Sequence, residues 1–290
     1  MLLKLSSKQE AAIAAGKVKR SSLIRSTKQA ANQTQEDDGP VHYYIYGPSG
    51  IGKTYNAEKA VKESGVLNTT VSGNVSMIAF GIDLAVTKYM FPKDKVVIII
   101  DDCDEILKDS KCINQMKELL GKNKYSYNKR FHINSYAEEG TETYTALEAA
   151  TVSNGVGFEV DTSNFTFLIT SNIRLSYDDT AEAICDRNGG LDTSKSIRAR
   201  HLAAIRGRCE TKDLDMTMEE KWGNLAAVTL EEDLCNKCNE QETLFILNYL
   251  WNNWDKMKET SIRTVSKMAR TLKFEEPDNI MDAFDADFLK

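Results

Sequence analysis

The sequence predicts an α/β protein: a three-layer αβα core built on a parallel sheet, followed by a small all-helical C-terminal part. Three observations predict it. Apolar β-branched runs, Val96-Val97-Ile98-Ile99-Ile100 above all, alternate with segments of helical periodicity, the pattern of a parallel sheet covered on both faces. A glycine-rich loop lies between the first such run and a helix. From about Met216 onward no strand pattern appears, and the chain reads as helix to about Lys273. The expected organisation is a basic flexible arm over 1–37, a core over 38–215 with an insertion at about 121–164, and a helical lid over 216–290.

The elements follow in order. Within the arm, residues 1–35 carry Lys4, Lys8, Lys17, Lys19, Arg20, Arg25 and Lys28 against the single acid Glu10, with a helical stretch over Ala11–Ala15. This makes it about +6, and a surface for nucleic acid or another partner is one reading of it, a solvated tail the other. His42-Tyr43-Tyr44-Ile45-Tyr46 is a strand ended by Gly47. Ala57 to Ser64 is a helix closed by Gly65, and Val66 to Val71 a second strand. Ile82 to Met90 is a helix stopped near Pro92, Val96 to Ile100 a buried strand, and Glu105 to Leu120 a helix capped by Gly121. Phe165 to Thr170 is a further strand.

Composition excludes several classes. The chain has 290 residues, 41% of them hydrophobic and 28% charged, so it can bury a sizeable core. Its 37 basic and 43 acidic residues leave a net charge of -6, with no chain-wide basic excess. The longest apolar run is strand-sized, so no membrane span and no membrane partner are expected. The start, Met1-Leu2-Leu3-Lys4, turns polar at once and is not read as a signal peptide. Six scattered cysteines in a chain of this length point to a reducing, cytoplasmic setting.

Gly47-Pro48-Ser49-Gly50-Ile51-Gly52-Lys53-Thr54 fits the pattern G-x-x-x-x-G-K-[ST]. Glycines let the backbone curl so that its N–H groups face phosphate oxygens, and the helix that follows adds its N-terminal dipole. Lys53 would reach the outer phosphates, and Thr54 would hold Mg2+ through its hydroxyl. Asp101 and Asp102 stand at the end of the buried strand, where ligands of open α/β sheets bind. Asp101 would hold the metal, and Asp102 would polarise an attacking water, with Asp104 and Glu105 close enough to share the role. Asp is also favoured just before a helix, and both readings can hold together. The next strand ends in Thr170-Ser171-Asn172. The Asn172 amide can donate and accept, and so can orient a water beside the terminal phosphate.

The phosphate loop, the Asp-Asp strand end, the Thr-Ser-Asn strand end and the later arginines occur in the order of AAA+ ATPases, which the chain resembles from about Val41 to Lys273. The layout is similar to AAA+ proteins of tailed bacteriophages, which would set it in the host cytoplasm. The two strand ends are also similar to those of a viral helicase superfamily. The AAA+ resemblance implies ATP with Mg2+ as ligands and a head-to-tail homo-oligomeric ring, hexameric by analogy. It puts an arginine finger, reaching the neighbouring subunit's nucleotide, on Arg208 of Ala204-Ile205-Arg206-Gly207-Arg208-Cys209. Arg206 competes for the role, and Arg198 and Arg200 lie upstream. It puts a γ-phosphate sensor on Arg263, with Lys267 on the same helix face. It makes Phe80, beside Gly81, a candidate for the aromatic that lines a central pore, a buried helix-start Phe being the equal alternative.

Weaker signals remain. The segment 122–132 mixes Lys124, Tyr125, Tyr127, Lys129 and Arg130 with period-two character. It reads either as a hairpin that contacts DNA or as an ordinary half-exposed one; residues 137–160 read as a loop. Cys235-Asn236-Lys237-Cys238 is a lone CxxC with no further ligands at zinc spacing. Trp222, Trp251 and Trp254 read as lid core. The expected function is thus an ATP-hydrolysing motor acting on DNA, as a helicase, helicase loader or clamp-loader-like protein. A polypeptide-threading remodeller and a nucleotide-gated assembly switch with little turnover are the alternatives.

Overall fold

The alternation of apolar runs with helices resolves in chain order as α1 (Ser7–Thr34), β1 (His42–Tyr46), α2 (Lys53–Glu63), β2 (Leu67–Ser72), α3 (Met77–Met90), β3 (Val96–Asp101) and α4 (Ser110–Lys122). There follow β4 (Lys124–Tyr127), α5 (Glu142–Ala150), β5 (Phe158–Asp161), β6 (Phe165–Ser171) and β7 (Cys209–Asp213). The chain ends in α6 (Met218–Glu231), α7 (Glu240–Asn253), α8 (Ile262–Phe274) and α9 (Ile280–Phe288). The computed structural model describes residues 3–34, 39–73, 75–102, 104, 106–107, 109–152, 156–173, 175, 202–236 and 238–290. The contacts divide them into two compact units. One holds Met1–Arg25, Gly47–Asn56 and Leu214–Lys290; the other holds Ser26–Tyr46 and Ala57–Asp213.

The second unit contains the sheet. Five parallel strands lie in the order β2-β3-β6-β1-β7. The β3 valines and isoleucines and every residue of β6 are buried, as continuous apolar runs in central strands require. Asp101 pairs with Thr170, and Tyr46 with Ser171, so the polar ends of β1, β3 and β6 line one edge. The parallel α/β class expected from the sequence is the class observed. Of the strands in this sheet, β7 is the one that periodicity did not disclose. Its sequence, Cys-Glu-Thr-Lys-Asp, is polar because it sits at the sheet edge beside β1 alone.

Helix α3 starts one turn earlier than expected, because the Ser76 hydroxyl accepts from the Ala79 N–H and caps it there. That turn carries Phe80 into the core, fully buried against the rings of Tyr125 and Phe167 at 6.3 and 6.4 Å. Phe80 is therefore a core residue, not a pore residue. Gly81 is needed beside it, since a Cβ there would lie 2.2 Å from the Tyr125 ring. Gly81→Val is expected to destabilise the protein by about 2 kcal/mol, as over-packing does, read as a lower urea midpoint.

The insertion is also corrected. Residues 122–132 do not pair with one another; β4 pairs antiparallel with β5, some 30 residues on, and α5 occupies the expected loop. Tyr125 is buried, with its hydroxyl donating to the Met77 carbonyl. Tyr127 stacks on Phe158 at 5.6 Å, and Lys124 pairs with Glu159 at 2.5 Å. Lys129 and Arg130 stay exposed.

The expected flexible arm is a 28-residue helix, α1. Four of its cations pair with acids of the protein itself. Lys17 and Arg20 pair with Glu231, Lys19 with Glu220, and Lys28 with Glu63. Helices α6 to α9 form the apolar core of the first unit, with Trp222 buried and its indole N–H donating to the Leu247 carbonyl at 3.1 Å. Capping boxes at Thr217–Glu220 and Asn239–Glu242 start α6 and α7. Helix α8 buries Val265, Met268 and Leu272 and exposes Arg263, Lys267 and Arg270. The Cys235 thiol is buried and pushed up to about 11 by that burial. Among the described residues no helix is long and apolar enough to cross a membrane.

His42 of β1 is buried, and its Nδ1 accepts from the Phe167 N–H at 3.2 Å. Burial pushes its pKa down to about 4, outweighing the nearby Asn123 side chain, which acts in the opposite sense. The unfolded chain then binds a proton near pH 6.5 that the folded chain refuses until about pH 4. Stability should fall as pH drops through this window, by up to about 3 kcal/mol. Urea unfolding at pH 7 and pH 4.5 measures this loss, and His42→Asn should reduce it.

Candidate functional site

The loop Gly47–Thr54 leaves the sheet at the end of β1 and runs straight into α2. Gly50 and Gly52 both have φ of +78°, in the left-handed region that glycine enters without steric penalty. The loop's carbonyl oxygens are tied down by donors. The Lys53 ammonium, largely buried, donates to the carbonyls of Gly47 (2.7 Å) and Pro48 (3.0 Å). Asn56 secures the Gly52 carbonyl through its side chain (2.7 Å) and its backbone N–H (3.0 Å). A planar trans peptide points the following N–H away from its carbonyl. The tied carbonyls of Pro48 and Gly52 therefore turn the N–H groups of Ser49 and Lys53 to the opposite side, which makes a cradle for an anion at a helix N-terminus, while Pro48 itself has no N–H to offer. Thr54, half-buried, opens the helix beside Lys53.

The same unit brings the start of α8 to this loop. A Cβ on Gly50 would lie 2.9 Å from the Ser261 Cβ, and one on Gly52 would lie 3.2 Å from Ile262. Ser261 caps α8 by accepting from the Thr264 N–H, and Arg263 stands exposed in the first turn that follows. Arg263 is thus two residues from the loop contact, with Lys267 exposed one turn further along.

The second unit assembles the acidic edge. The Thr170 hydroxyl donates to the Asp101 carboxylate. The Ser171 hydroxyl donates to Asp104 at 2.5 Å, and the Asn172 N–H reaches both Asp104 oxygens at 3.4 Å. Asp104 thereby ties the β6 end to the turn after β3. Tyr44 of β1 donates to the Ile173 carbonyl at 2.5 Å, with burial pushing its phenol pKa upward, and fixes the chain just past Asn172. The Asn172 and Asp102 side chains are both exposed. Asp102 has φ of +51°, an uncommon backbone state for a residue with a Cβ. Such strain is held only where neighbours enforce it, and it concentrates at working sites.

Arg208 is exposed on the turn before β7. Its guanidinium donates to the Ala204 carbonyl at 2.7 Å and lies against Gly121 of α4. Arg206 instead turns inward, donating to the Leu175 carbonyl. Arg198, Arg200 and Glu105 lie outside the described residues.

These strand ends, in this sheet order, are where the family assignment applies. The family model for the ATPase family associated with various cellular activities (AAA) matches residues 43–188, half of the chain. The chain belongs to the AAA ATPase family. The match runs from β1 through the phosphate loop, the Asp101-Asp102 strand end and Asn172, so this AAA protein carries a nucleotide-binding domain of that class. No curated protein matches the chain.

Sequence reasoning missed the roles of Thr170 and Ser171 toward Asp101 and Asp104, since strand-end hydroxyls are common and pairing across β3 and β6 is not local. It also missed Asn224, whose amide donates to the Ile51 carbonyl at 3.0 Å. The available signal was one amide inside the apolar run Trp222-Gly223-Asn224-Leu225-Ala226-Ala227-Val228.

Proposed function

We propose that this AAA protein hydrolyses ATP by in-line attack of water, at sites completed between neighbouring copies in a ring. The observation that carries the reading is the phosphate loop, with its glycines at positive φ and its carbonyls tied away. Lys53 stabilises the β- and γ-phosphates, while the Gly50 and Gly52 backbones allow close approach. Asp102 takes up the proton of the attacking water, and Asn172 orients that water. Arg263 meets the terminal phosphate in its own subunit. Arg208, exposed and without an inward contact like that of Arg206, supplies charge to the neighbour's site. The hydroxyl of Thr54 and the carboxylate of Asp101 are hard oxygen donors that suit Mg2+. Bound Mg2+ would neutralise charge on the phosphates.

The test is phosphate release with Mg-ATP across a range of enzyme concentrations. The rate per subunit should rise with concentration as shared sites form. No release at any concentration would overturn the reading.

We assign DNA as what the motor acts on, in replication or a related process, as a helicase, helicase loader or clamp-loader-like protein. The support is the exposed pair Lys129–Arg130 after β4. Polypeptide threading loses its sequence support, because Phe80 is in the core. Single-stranded DNA should bind at low salt, release as salt rises, and stimulate the ATPase. Loss of all three in wild type would exclude DNA.

A further inference from the structure

We propose that Asn224 is a positioning residue of the phosphate loop, a clamp from α6 that aims the Gly52 N–H. The inference rests on the reading of Gly47–Thr54 as the ATP phosphate cradle and deepens it. Lys53 and Asn56 tie down the carbonyls of Gly47, Pro48 and Gly52 from within the loop and its helix. The Ile51 carbonyl is held from elsewhere in the chain, by the Asn224 side-chain amide at 3.0 Å. The chain has no cis peptide among the described residues, so the Gly52 N–H points opposite to the Ile51 carbonyl. Gly52 has no side chain to limit its backbone, and its neighbour Gly50 is equally permissive. A peptide between such residues keeps one direction only when something grips it.

The choice of residue argues for this role over packing. Asn224 is 2% exposed within an apolar run, and its Oδ1 has no hydrogen-bond partner among the described residues. Burying a half-satisfied amide is unfavourable, and a helix face that needed only packing would favour an apolar side chain. The group that gains from the amide is the Ile51 carbonyl.

The clamp is backed from behind. A Cβ on Gly16 of α1 would lie 2.1 Å from the Asn224 backbone nitrogen, and one on Gly223 would lie 1.8 Å from the Ala12 carbonyl oxygen. The two helices therefore touch backbone to backbone at this point. Lys17 and Arg20 of α1 hold Glu231 at the far end of α6. Helix α6 cannot withdraw Asn224 from the loop without displacing α1.

The test uses the full chain with Asn224→Asp, which keeps the size and removes the donor, and Asn224→Ala, which adds no buried charge and serves if the first variant does not fold. Three quantities are measured: affinity for Mg-ATP, affinity for adenosine, which lacks phosphate, and hydrogen exchange of the 47–56 peptide. Expected are a loss of ATP affinity of roughly five- to tenfold, unchanged adenosine affinity, and faster exchange in 47–56 with β3 unaffected. A folded variant with wild-type ATP affinity and wild-type loop exchange would overturn the proposal. So would equal weakening of ATP and adenosine, which marks a general structural effect. If wild type itself binds no ATP, the nucleotide reading fails, and loop exchange in the variants still decides whether Asn224 holds the loop.

Discussion

Lys53→Ala is expected to reduce ATP hydrolysis by roughly 10²- to 10³-fold, the scale of removing one preorganised charge partner from a transition state. Two losses combine in this variant. The ammonium that would face the outer phosphates is gone. So are its hydrogen bonds to the Gly47 and Pro48 carbonyls at 2.7 and 3.0 Å, which help to curl the loop. ATP affinity should fall together with turnover, measured by titration and by steady-state phosphate release. Lys53→Arg separates the two losses, since it keeps the charge but not the geometry of a compact ammonium. Wild-type turnover in Lys53→Ala would remove the loop from the mechanism.

Arg208→Ala is expected to lower turnover by roughly 10³-fold while leaving ATP affinity near wild type, as arginine fingers act in the transition state. Asp102→Asn should bind ATP and turn over at least roughly a hundredfold more slowly. Neither variant alone should be active, but their mixture should be. In a ring assembled at random from equal amounts, about a quarter of the seams pair an intact Asp102 with an intact Arg208. Phosphate release should therefore recover to about a quarter of the wild-type rate. Failure of the mixture to recover would return Arg208 to its own subunit. The inward turn of Arg206 onto the Leu175 carbonyl favours Arg208 for this experiment, and Arg206→Ala serves as the comparison.

The elements of the proposed site could be picked out because each is local. Gly50 and Gly52 report a backbone turn at positive φ that few other residues tolerate, and a strand as apolar as Val96–Ile100 announces a central position. The errors have a common cause as well. Phe80 stayed open between pore and core, and Tyr125 read as part of a half-exposed or DNA-contacting hairpin, since nothing in their own segments says that β4 pairs with β5 across α5, or that Ser76 starts a helix that turns Phe80 inward. The cations of α1 looked available because Glu220 and Glu231 lie some 200 residues away in sequence. Helix α1 itself was under-read because its buried positions include Ala12, Ala30 and Ala31, which contribute little hydrophobic contrast.

By itself the sequence determined the fold class, the phosphate loop and the acidic and amide strand ends. These are written in nearest-neighbour stereochemistry: glycines that permit positive φ, β-branched runs that prefer pleated backbone, and polar residues where a strand stops. Only the tertiary structure decided which side chains grip the loop, that Asp104 belongs to Ser171 and Asn224 to Ile51, and which cations remain exposed. The physical reason is range. Hydrogen bonds and ion pairs form between groups a few ångströms apart in space, and chain separation places no limit on which groups those are.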